Sequence, residues 1–299
     1  MKSQNKDKLL TVVTITYNRK NKLKRLINSL QQQQCKDFKW LVVDDGSSDG
    51  TVEYIKQIRG RVDFPINIIR NNNIGKYKEI NYILPIISTK LMILLDSDDY
   101  LIEGGIQLIK KYWRKYSHMN DIGSIIFEMG NGTKYKPMHK IDHELIDKRY
   151  YYLAKTKTYG DYSDVFVTDA ISNYRFPEFK EEKFMSEGPL YYFLSQKKKS
   201  AFIPQILIIA SYLDDGLTHN VRKNQINNYR GTLFETNLYL NNDTPLFFRI
   251  KKAILYDYIA LSCLGKFSLF FKKSNYKFLL ALCLPIAMLF FIKDKMSGF

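Results

Sequence analysis

The sequence has few cysteines and no apolar segment long enough to cross a membrane. Its three cysteines are far apart and odd in number, so neither a disulfide framework nor a cysteine metal site is expected. The longest apolar run, residues 278–292, is shorter than the roughly 20 residues that a membrane-crossing helix needs, and it contains Pro285. The first residues are polar and show no secretory signal, so a reducing, cytoplasmic setting is expected.

Acidic residues are scarce relative to basic ones. The 46 Lys and Arg residues against 30 Asp and Glu residues give a net charge of +16, and the excess is greatest in the last third of the chain. Such a surface suits nucleic acid, anionic lipid or a phosphorylated substrate, and charge alone does not choose among them. The length of 299 residues and the apolar content of 45% allow one large domain, or a catalytic domain with an appendage.

The first hundred residues alternate between apolar strands and amphipathic helices. Strands are predicted at residues 9–17, 38–45, 65–71 and 90–96, with a helix in each interval. Repeated strand–helix–strand units imply a parallel sheet with right-handed crossovers. The carboxyl ends of these strands then meet at one edge, where open α/β sheets bind ligands.

The pattern is looser further along the chain. A helix is predicted at 105–116, a strand at 122–129 and a second helix at 183–196. Residues 201–213 are expected to form one strand, or two short strands separated around Pro204.

Carboxylates cluster at the predicted edge. Asp44 and Asp45 end the second strand, and the tetrad Asp96–Asp99 closes the fourth, with only Ser97 uncharged. A hard divalent cation held by one or two carboxylates and substrate phosphates is a common reason for such clustering. A solvated turn with an Asp helix cap is the alternative for the tetrad taken alone.

Four segments together resemble the family 2 glycosyltransferases, of the bacterial surface-polysaccharide type. They are TVVTITYNR (11–19), WLVVDDGSSDGT (40–51), NNNIGKYKEIN (71–81) and LLDSDD (94–99). The resemblance implies the GT-A fold, a Rossmann-like α/β architecture with a mixed, mainly parallel sheet flanked by helices.

The resemblance extends over roughly residues 9–220, because segments 175–194 and 212–218 are similar to one bacterial branch of the family. The expected division is therefore a nucleotide-sugar-binding catalytic domain at 1–218 and a basic, apolar helical region at 219–299.

The family's D-x-D signature implies a metal site. Its middle acid faces the metal and maps to Asp98, while Asp96 is expected to contact the ribose or join the metal ligands. Mn²⁺ or Mg²⁺ is the expected cofactor, because a cation that bridges diphosphate oxygens stabilises the charge gained by the leaving group. Asp99 is expected to cap the following helix.

The same resemblance assigns the nucleotide contacts. Asp45 matches the position that accepts a hydrogen bond from the base, usually uracil, and Asp44 is the alternative. Thr16, Tyr17 and Asn18 are expected to frame the base, although Thr16 and Asn18 would also suit a purely local turn cap.

The segment after the third strand is expected to contact the nucleotide or donor sugar through Asn73, Gly75 and Lys76. Lys76 could offset diphosphate charge, or it could be a solvated helix-end lysine. Tyr77 and Glu79 stand where the branch has His and Ala, so the donor sugar is left open.

Inverting transfer requires a general base near the acceptor hydroxyl. The family places this acid at a helix start, which maps to Glu187 in Ser186-Glu187-Gly188, with Gly188 replacing a second acid. A helix-dipole role is the alternative for Glu187, and Asp169 is the fallback base. Asp214, Asp215 and His219 are weaker candidates for acceptor or diphosphate contacts.

The resulting expectation is an inverting, metal-dependent hexosyl- or N-acetylhexosaminyltransferase. It would move a sugar from a UDP-sugar to a bacterial surface glycan, with a lipid-linked acceptor motivated by the basic, apolar C-terminal third. Residues 278–292 are expected to lie in an anionic leaflet at the cytoplasmic face of the cell membrane, as a peripheral or monotopic element. A buried C-terminal helix and a homodimer interface are the alternatives.

Three other classes compete with this interpretation. A nucleotidyltransferase on a related α/β sheet usually begins with a glycine-rich phosphate loop, which the turn Tyr17–Lys20 lacks. A nucleic-acid-binding module fits the charge and the 22 tyrosines, but the tyrosines are dispersed, so no nucleic-acid partner is expected. A polymerising synthase would carry several membrane helices, so single-sugar addition is preferred.

Overall fold

The computed structural model describes residues 8–132, 136–158, 160–211, 221–263, 274 and 276–296. Its strands are β1 (Leu10–Thr16), β2 (Phe38–Asp44), β3 (Ile66–Arg70), β4 (Leu91–Leu94), β5 (Tyr100–Leu101), β6 (Ile122–Asn131), β7 (Lys136–Pro137), β8 (Leu145–Asp147), β9 (Tyr162–Val167) and β10 (Lys199–Ala210). Its helices are α1 (Leu23–Gln31), α2 (Thr51–Arg59), α3 (Lys76–Ile83), α4 (Gly105–Tyr116), α5 (Arg149–Thr156), α6 (Thr168–Ile171), α7 (Gly188–Lys197), α8 (Val221–Asn227), α9 (Tyr229–Leu238), α10 (Leu246–Ser262) and α11 (Lys277–Met296). A short 3₁₀ turn, Leu84–Ile86, follows α3.

These strands form one mixed sheet in the order β3-β2-β1-β4-β9-β6-β10-β5, with β7 added to β6 and β8 to β10. The first four strands are parallel, as the alternating sequence pattern predicts. Strand β9 is antiparallel to both β4 and β6. The predicted α/β class with a mixed sheet flanked by helices is therefore confirmed.

Strand β10 runs through Pro204 without a break, which decides between the one-strand and two-strand predictions. Its parallel pairing with β6 shifts register between Ile203 and Ile206 and again before Ile208. A proline has no amide hydrogen to give to a ladder, so it is tolerated where the pairing is already irregular.

Helices cover both faces of the sheet. Because side chains alternate along a strand, Val12 of β1 faces one helical layer and Val13 faces the other. The first layer contains α1, α2 and α4, and the second contains α3, α6 and α7. Burying both faces leaves the strand ends as the part of the sheet open to ligands.

The C-terminal helices form a further apolar cluster. One side of α11 packs on α10 through Leu280, Cys283 and Ala287, whereas Phe278 and Leu289 on its other side are 79% and 69% exposed. Among the described residues no helix is both long and apolar enough to cross a bilayer. The predicted boundary at residues 218 and 219 lies outside the described residues, and the division into domains stays a prediction.

The C-terminal helices also hold the segment that precedes α7. The carboxylate of Glu182 accepts hydrogen bonds from the amides of Arg230 and Gly231, at 2.9 and 2.8 Å, at the start of α9. A carboxylate at this position is favoured by the helix dipole. Ser186 donates to Glu235 of α9 at 2.7 Å, and Lys252 of α10 donates to the same carboxylate at 3.0 Å. The region after residue 220 thus helps to position the chain that enters α7.

Asp257 is a buried acid inside this helical cluster. Its side chain is fully buried, and neither carboxyl oxygen has a hydrogen-bond partner. Tyr256 and Cys283 are its titratable neighbours. Burial raises the pKa of Asp257 to about 7, so the neutral acid is the form that the packed cluster tolerates.

This burial predicts a pH-dependent stability. Since the pKa in the folded state lies above the ordinary value of 3.8, the folded protein binds the proton more tightly than the unfolded chain does. The associated stabilisation is complete below about pH 4 and is lost as the pH rises through about 7. Asp257→Asn removes the charge, so its melting temperature should exceed that of the wild type by a margin that grows between pH 5 and pH 8.

Thermal melting across this pH range measures the effect, with the exposed Asp142→Asn as the control for loss of one carboxylate. A constant difference between Asp257→Asn and the wild type at all pH values would contradict the assignment.

Candidate active site

The candidate site lies where β1, β2 and β4 end. Thr16, the last residue of β1, pairs with Asp44 of β2, and Val13 pairs with Leu94 of β4. Asp45 and Asp96 follow these strands on either side of β1. With neighbouring strands about 4.8 Å apart, the two backbones are separated by about 10 Å. The predicted convergence of both acidic segments at one sheet edge is present in the fold.

Asp45 fixes the loop that follows β3. It is 5% exposed, and its two carboxylate oxygens accept hydrogen bonds from the amides of Ile74 and Gly75, at 2.6 and 2.9 Å. Gly75 has a φ of +97°, and a Cβ there would lie 2.1 Å from the carbonyl oxygen of Lys183. Only glycine fits this position, so the loop is clamped between Asp45 and the segment before α7.

The segment after β1 is tied to the turn after β2. Asn18, at a φ of +52°, accepts a hydrogen bond from the amide of Ser48 at 2.8 Å and donates its own amide to Ser47 at 2.8 Å. Tyr17 is 46% exposed beside it. The Thr16 hydroxyl is buried without a hydrogen-bond partner. The geometry supports the turn-holding alternative for Asn18. Tyr17 and Asn18 are exposed, whereas the Thr16 hydroxyl is not.

Asn73 is also in the left-handed region, at a φ of +49°, which asparagine adopts more readily than most residues. Its backbone nitrogen lies beside Gly46, where a Cβ would be 3.0 Å away. The turn after β2 and the loop after β3 are therefore in direct contact.

The acids after β4 differ in environment. Asp96 is exposed, Asp98 is half-buried and Asp99 is 8% exposed. Burial and then the charge of Asp96 raise the pKa of Asp98, and the same two effects raise the pKa of Asp99 to about 8. Asp99 accepts a hydrogen bond from the amide of Ser211 at 3.0 Å. This holds β10 against the tetrad, in place of the helix cap that the sequence predicts.

The crowding of Asp96 and Asp98 is a favourable setting for a cation, since a positive charge would relieve their repulsion. Within the described part of the chain, no set of three or more His, Cys, Asp and Glu side chains is arranged around a metal position. Two carboxylates nevertheless suit a cation such as Mg²⁺, which takes its other ligands from substrate phosphates and water.

Lys76 joins the two halves of the site. Its ammonium contacts Asp96 Oδ1 at 2.8 Å and Glu187 Oε1 at 2.7 Å. Burial alone would lower the pKa of Lys76, but the charges of Asp96 and Glu187 outweigh this effect and raise the pKa well above its usual value. Lys76 is therefore a fixed cation between the acids after β4 and the start of α7, not a solvated helix-end lysine.

Glu187 immediately precedes α7. The Ser186 hydroxyl accepts a hydrogen bond from the amide of Gly188, the first residue of α7, at 3.1 Å. Asp169 lies elsewhere: it is 86% exposed and faces Lys90 at 4.0 Å, next to the opposite end of β4. The structure thus brings Glu187, and not the fallback acid, to the edge that carries Asp96.

Two acids of the site have no role assigned to them by the sequence. Asp161 precedes β9, and the antiparallel register of β9 with β4 places it level with Ser97. Reduced hydration and then the charges of Glu187 and Asp96 raise the pKa of Asp161. The signal in the sequence is the apolar stretch that follows Asp161. Such a stretch indicates a strand but not its direction, and the direction is what brings Asp161 to the site.

Glu79 is the second such acid. It is completely buried in α3, and Asn71 donates to it at 2.6 Å. Burial and the proximity of Asp45 and Asp44 raise the pKa of Glu79 to about 7. The sequence marks this position as unusual without indicating a role. Asp214, Asp215 and His219 lie outside the described residues.

Sequence comparison identifies the family. The chain matches the family described as Glycosyl transferase family 2 over residues 11–177, more than half of its length. This chain belongs to glycosyltransferase family 2. The family assignment made from the four motifs is confirmed, and so is the expectation of an enzyme.

This glycosyltransferase is similar to two bacterial enzymes whose names state the sugar that they transfer. It is 30% identical over 232 residues to GalNAc(5)-diNAcBac-PP-undecaprenol beta-1,3-glucosyltransferase of Campylobacter jejuni, covering 75% of this chain and 72% of the relative. It is also 30% identical over 93 residues to poly(ribitol-phosphate) beta-N-acetylglucosaminyltransferase TarS of Staphylococcus aureus, covering 30% of this chain but only 16% of the relative.

Solved structures show the same fold. TarS 1-349 of S. aureus in complex with UDP-GlcNAc matches this glycosyltransferase with a TM-score of 0.62 at 15% identity, covering 93% of this chain and 80% of that one. The mannosyltransferase PcManGT of Pyrobaculum calidifontis, in complex with GDP-Man and Mn²⁺, matches with a TM-score of 0.57 at 12% identity. This match covers 97% of this chain and 89% of the mannosyltransferase. The expected GT-A fold is confirmed, and enzymes of this fold often use divalent metals.

The buried Glu79 predicts a pH effect on nucleotide binding. Because its raised pKa is about 7, Glu79 is neutral below this pH and ionises above it beside Asp44 and Asp45. The stabilisation of the loop by the neutral acid is lost as the pH rises through about 7. Glu79→Gln imitates the neutral acid, so at pH 8.5 it should bind UDP more tightly than the wild type, by up to about tenfold, and equally at pH 6.

Calorimetric titration of UDP into both proteins at the two pH values measures this difference. Changes in the ionisation of UDP itself cancel when the dissociation constants of the variant and the wild type are compared at the same pH. The exposed Glu53→Gln is the matched control and should follow the wild type. Parallel pH profiles for Glu79→Gln and the wild type would refute the role given to Glu79.

Proposed function

We propose that this protein is an inverting, metal-dependent glycosyltransferase that moves a sugar from a UDP-sugar to a lipid-linked glycan of the bacterial surface. The observation that carries the proposal is the contact of one ammonium, Lys76 Nζ, with Asp96 at 2.8 Å and Glu187 at 2.7 Å. This contact holds an acid of the D-x-D segment and the proposed base on the same ammonium group. The donor diphosphate and the acceptor hydroxyl must also lie close together for transfer, so the residues that serve them are expected to be neighbours.

The donor is proposed to lie along the sheet edge between β2 and β4. Thr16, Tyr17 and Asn18 would frame the base, with Asp45 beneath it and Asn73 beside the ribose or the donor sugar. Asp45 already accepts two backbone amides, so its contribution to a uracil N–H would come from remaining lone pairs. UDP is favoured as the nucleotide because a TarS structure of the same fold is in complex with UDP-GlcNAc.

Asp98 and Asp96 are proposed to hold Mn²⁺ or Mg²⁺. When bound, the cation would supply positive charge to the diphosphate leaving group. Lys76 adds a second positive charge at the same place, held by Asp96. A fixed cation of this kind stabilises developing negative charge without reorganising during the reaction.

Glu187 is proposed as the general base. Its carboxylate would take the proton of the acceptor hydroxyl while that oxygen attacks the anomeric carbon on the face opposite the diphosphate. Inversion of an α-linked donor gives a β-linkage, which agrees with the beta products in the names of both relatives. Asp161 would face the acceptor side, since its charge interacts with both Glu187 and Asp96.

A lipid-linked acceptor and a membrane surface are supported by the C-terminal helices. The outer side of α11 exposes large apolar residues, with Lys293 and Lys295 in its last turn. Apolar residues beside lysines are typical of helices that lie in an anionic leaflet. The Campylobacter jejuni relative has a PP-undecaprenol substrate in its name. We therefore place this protein at the cytoplasmic face of the membrane, with self-association through α11 as the alternative use of that surface.

Asp98→Ala tests the metal site. Mn²⁺ should tighten UDP binding to the wild type, and the variant should lose this metal-dependent gain because it lacks one of two oxygen ligands. Calorimetric titration of UDP with Mn²⁺ and with EDTA measures the gain directly. The control Asp142→Ala, an exposed acid paired with Lys140, should retain it. An undiminished gain in Asp98→Ala would remove Asp98 from the metal site.

Glu187→Gln tests the base. Loss of a general base typically lowers the rate by about two to four orders of magnitude, so kcat should fall by this amount. UDP affinity should change by less than about threefold, since the base acts on the acceptor. UDP release from a UDP-sugar, measured with a short glycan acceptor, gives the rate, and the exposed Glu103→Gln is the control. A variant with full kcat would exclude Glu187 as the base.

A further inference from the structure

A concave site lies at the far end of α7, away from the candidate active site. It is a groove of about 950 Å³ between α5, the end of α7 and the chain around the start of α10. Its floor is formed by the buried Tyr150, Ala154, Ser195 and Thr244. Ser195 lies eight residues along α7 from Glu187, a rise of about 12 Å. The groove is therefore separate from the donor cleft but attached to it by one short helix.

The groove is positively charged. Lys148, Lys155, Lys157 and Arg249 line it, against two carboxylates, Asp147 and Asp243. Across the residues that the structure describes, no carboxylate forms an ion pair with any of these four cations. The net charge of the lining complements a diphosphate diester, which carries about two negative charges.

Arg249 is prepared to bind an oxyanion. Its Nη1 donates to the carbonyl of Asn241 at 3.1 Å and to Asn242 Oδ1 at 2.8 Å, which fixes the direction of the guanidinium. Its Nε is buried and has no hydrogen-bond partner. A buried N–H without a partner is costly, and a phosphate oxygen would satisfy it. Guanidinium groups also suit phosphate because their planar donors match its oxygens.

One rim of the groove is apolar. Tyr151, Leu246 and Phe247 are 46%, 58% and 50% exposed, and Lys157 lies over the Phe247 ring at 4.8 Å. Apolar residues beside cations that form no ion pair with a described carboxylate fit an amphiphile with a phosphate at the head of a hydrocarbon chain. A purely soluble phosphate would not require this rim. A flat membrane surface would not require the concave, hydrogen-bonding floor.

We propose that this groove binds the diphosphate and first isoprene units of the lipid-linked acceptor, while the glycan reaches the cleft at Glu187. The proposal rests on the acceptor class given under the proposed function, and it assigns that acceptor a docking site on the protein. The rings of Tyr150, Tyr192 and Tyr239 contact one another, with centroids 5.0–5.5 Å apart, and Tyr150 lines the groove. Tyr239 in turn donates to the carbonyl of Gly188 at 3.0 Å.

Farnesyl diphosphate, a soluble short-chain analogue, is the probe. Calorimetric titration into the full chain, in the presence of saturating UDP and Mn²⁺ to fill the donor cleft, should show binding. Lys155→Ala/Lys157→Ala should weaken it at least about tenfold. Phe247→Ala should weaken farnesyl diphosphate but not inorganic pyrophosphate. The control Lys56→Ala/Lys111→Ala removes two exposed lysines elsewhere and should bind like the wild type.

UDP titrated with Mn²⁺ into each protein separates the two proposals. If the wild type does not bind UDP, the proposed function fails whatever the groove binds. If UDP binds normally but farnesyl diphosphate does not, or if the groove variant binds it like the wild type, the groove proposal is overturned. Loss of binding to phosphatidylglycerol vesicles in the groove variant, with farnesyl diphosphate binding unchanged, would overturn it in favour of a general membrane contact.

Discussion

The ammonium of Lys76 is the interaction on which the site depends. Without it, Asp96 and Glu187 would be two carboxylates in one cleft, with Asp98 and Asp161 adding to the repulsion. Carboxylates that lie close together repel each other, which favours protonation of one of them or separation of the segments that carry them. The half-buried ammonium of Lys76 contacts both acids and offsets their mutual repulsion, which holds them close together. The acid that would serve the metal and the acid that would serve the acceptor are thereby held in one charge cluster.

Lys76 can hold both acids because the loop that precedes it is itself fixed. Asp45 holds the loop through the amides of Ile74 and Gly75, and Gly75 lies directly against the carbonyl of Lys183. The segment after Lys183 leads to Glu187, and α9 and α10 hold it through Glu182 and Glu235. The sheet edge and the C-terminal helices therefore meet at a single loop, and changes in either would reach the site through that loop.

The sequence predicts the first half of the fold well because parallel strands there are continuous apolar runs, and their ends must share an edge. Asp45, Asp96 and Asp98 follow from this rule, and the family motif adds Glu187. Asp161 does not follow from it, since its place depends on the antiparallel direction of β9, which no local pattern encodes. The roles of Glu79 and Asp257 escape prediction for another reason: each is an acid buried by tertiary packing in a helix whose own sequence gives it no partner.

The C-terminal helices have a more specific relation to the site than an appendage for membrane contact would require. The chain from α9 to α10 holds the entry to α7 through Glu235 and Lys252, and it also lines the groove through Thr244 and Arg249. Helix α7 thus connects a proposed acceptor-docking site to the proposed base across a fixed length. A fixed length selects acceptors by the number of sugars between the diphosphate and the reactive hydroxyl. Such selection does not require the protein to contact every sugar. Changes in the loop before α10 would alter the accepted glycan length without altering the donor edge of the sheet.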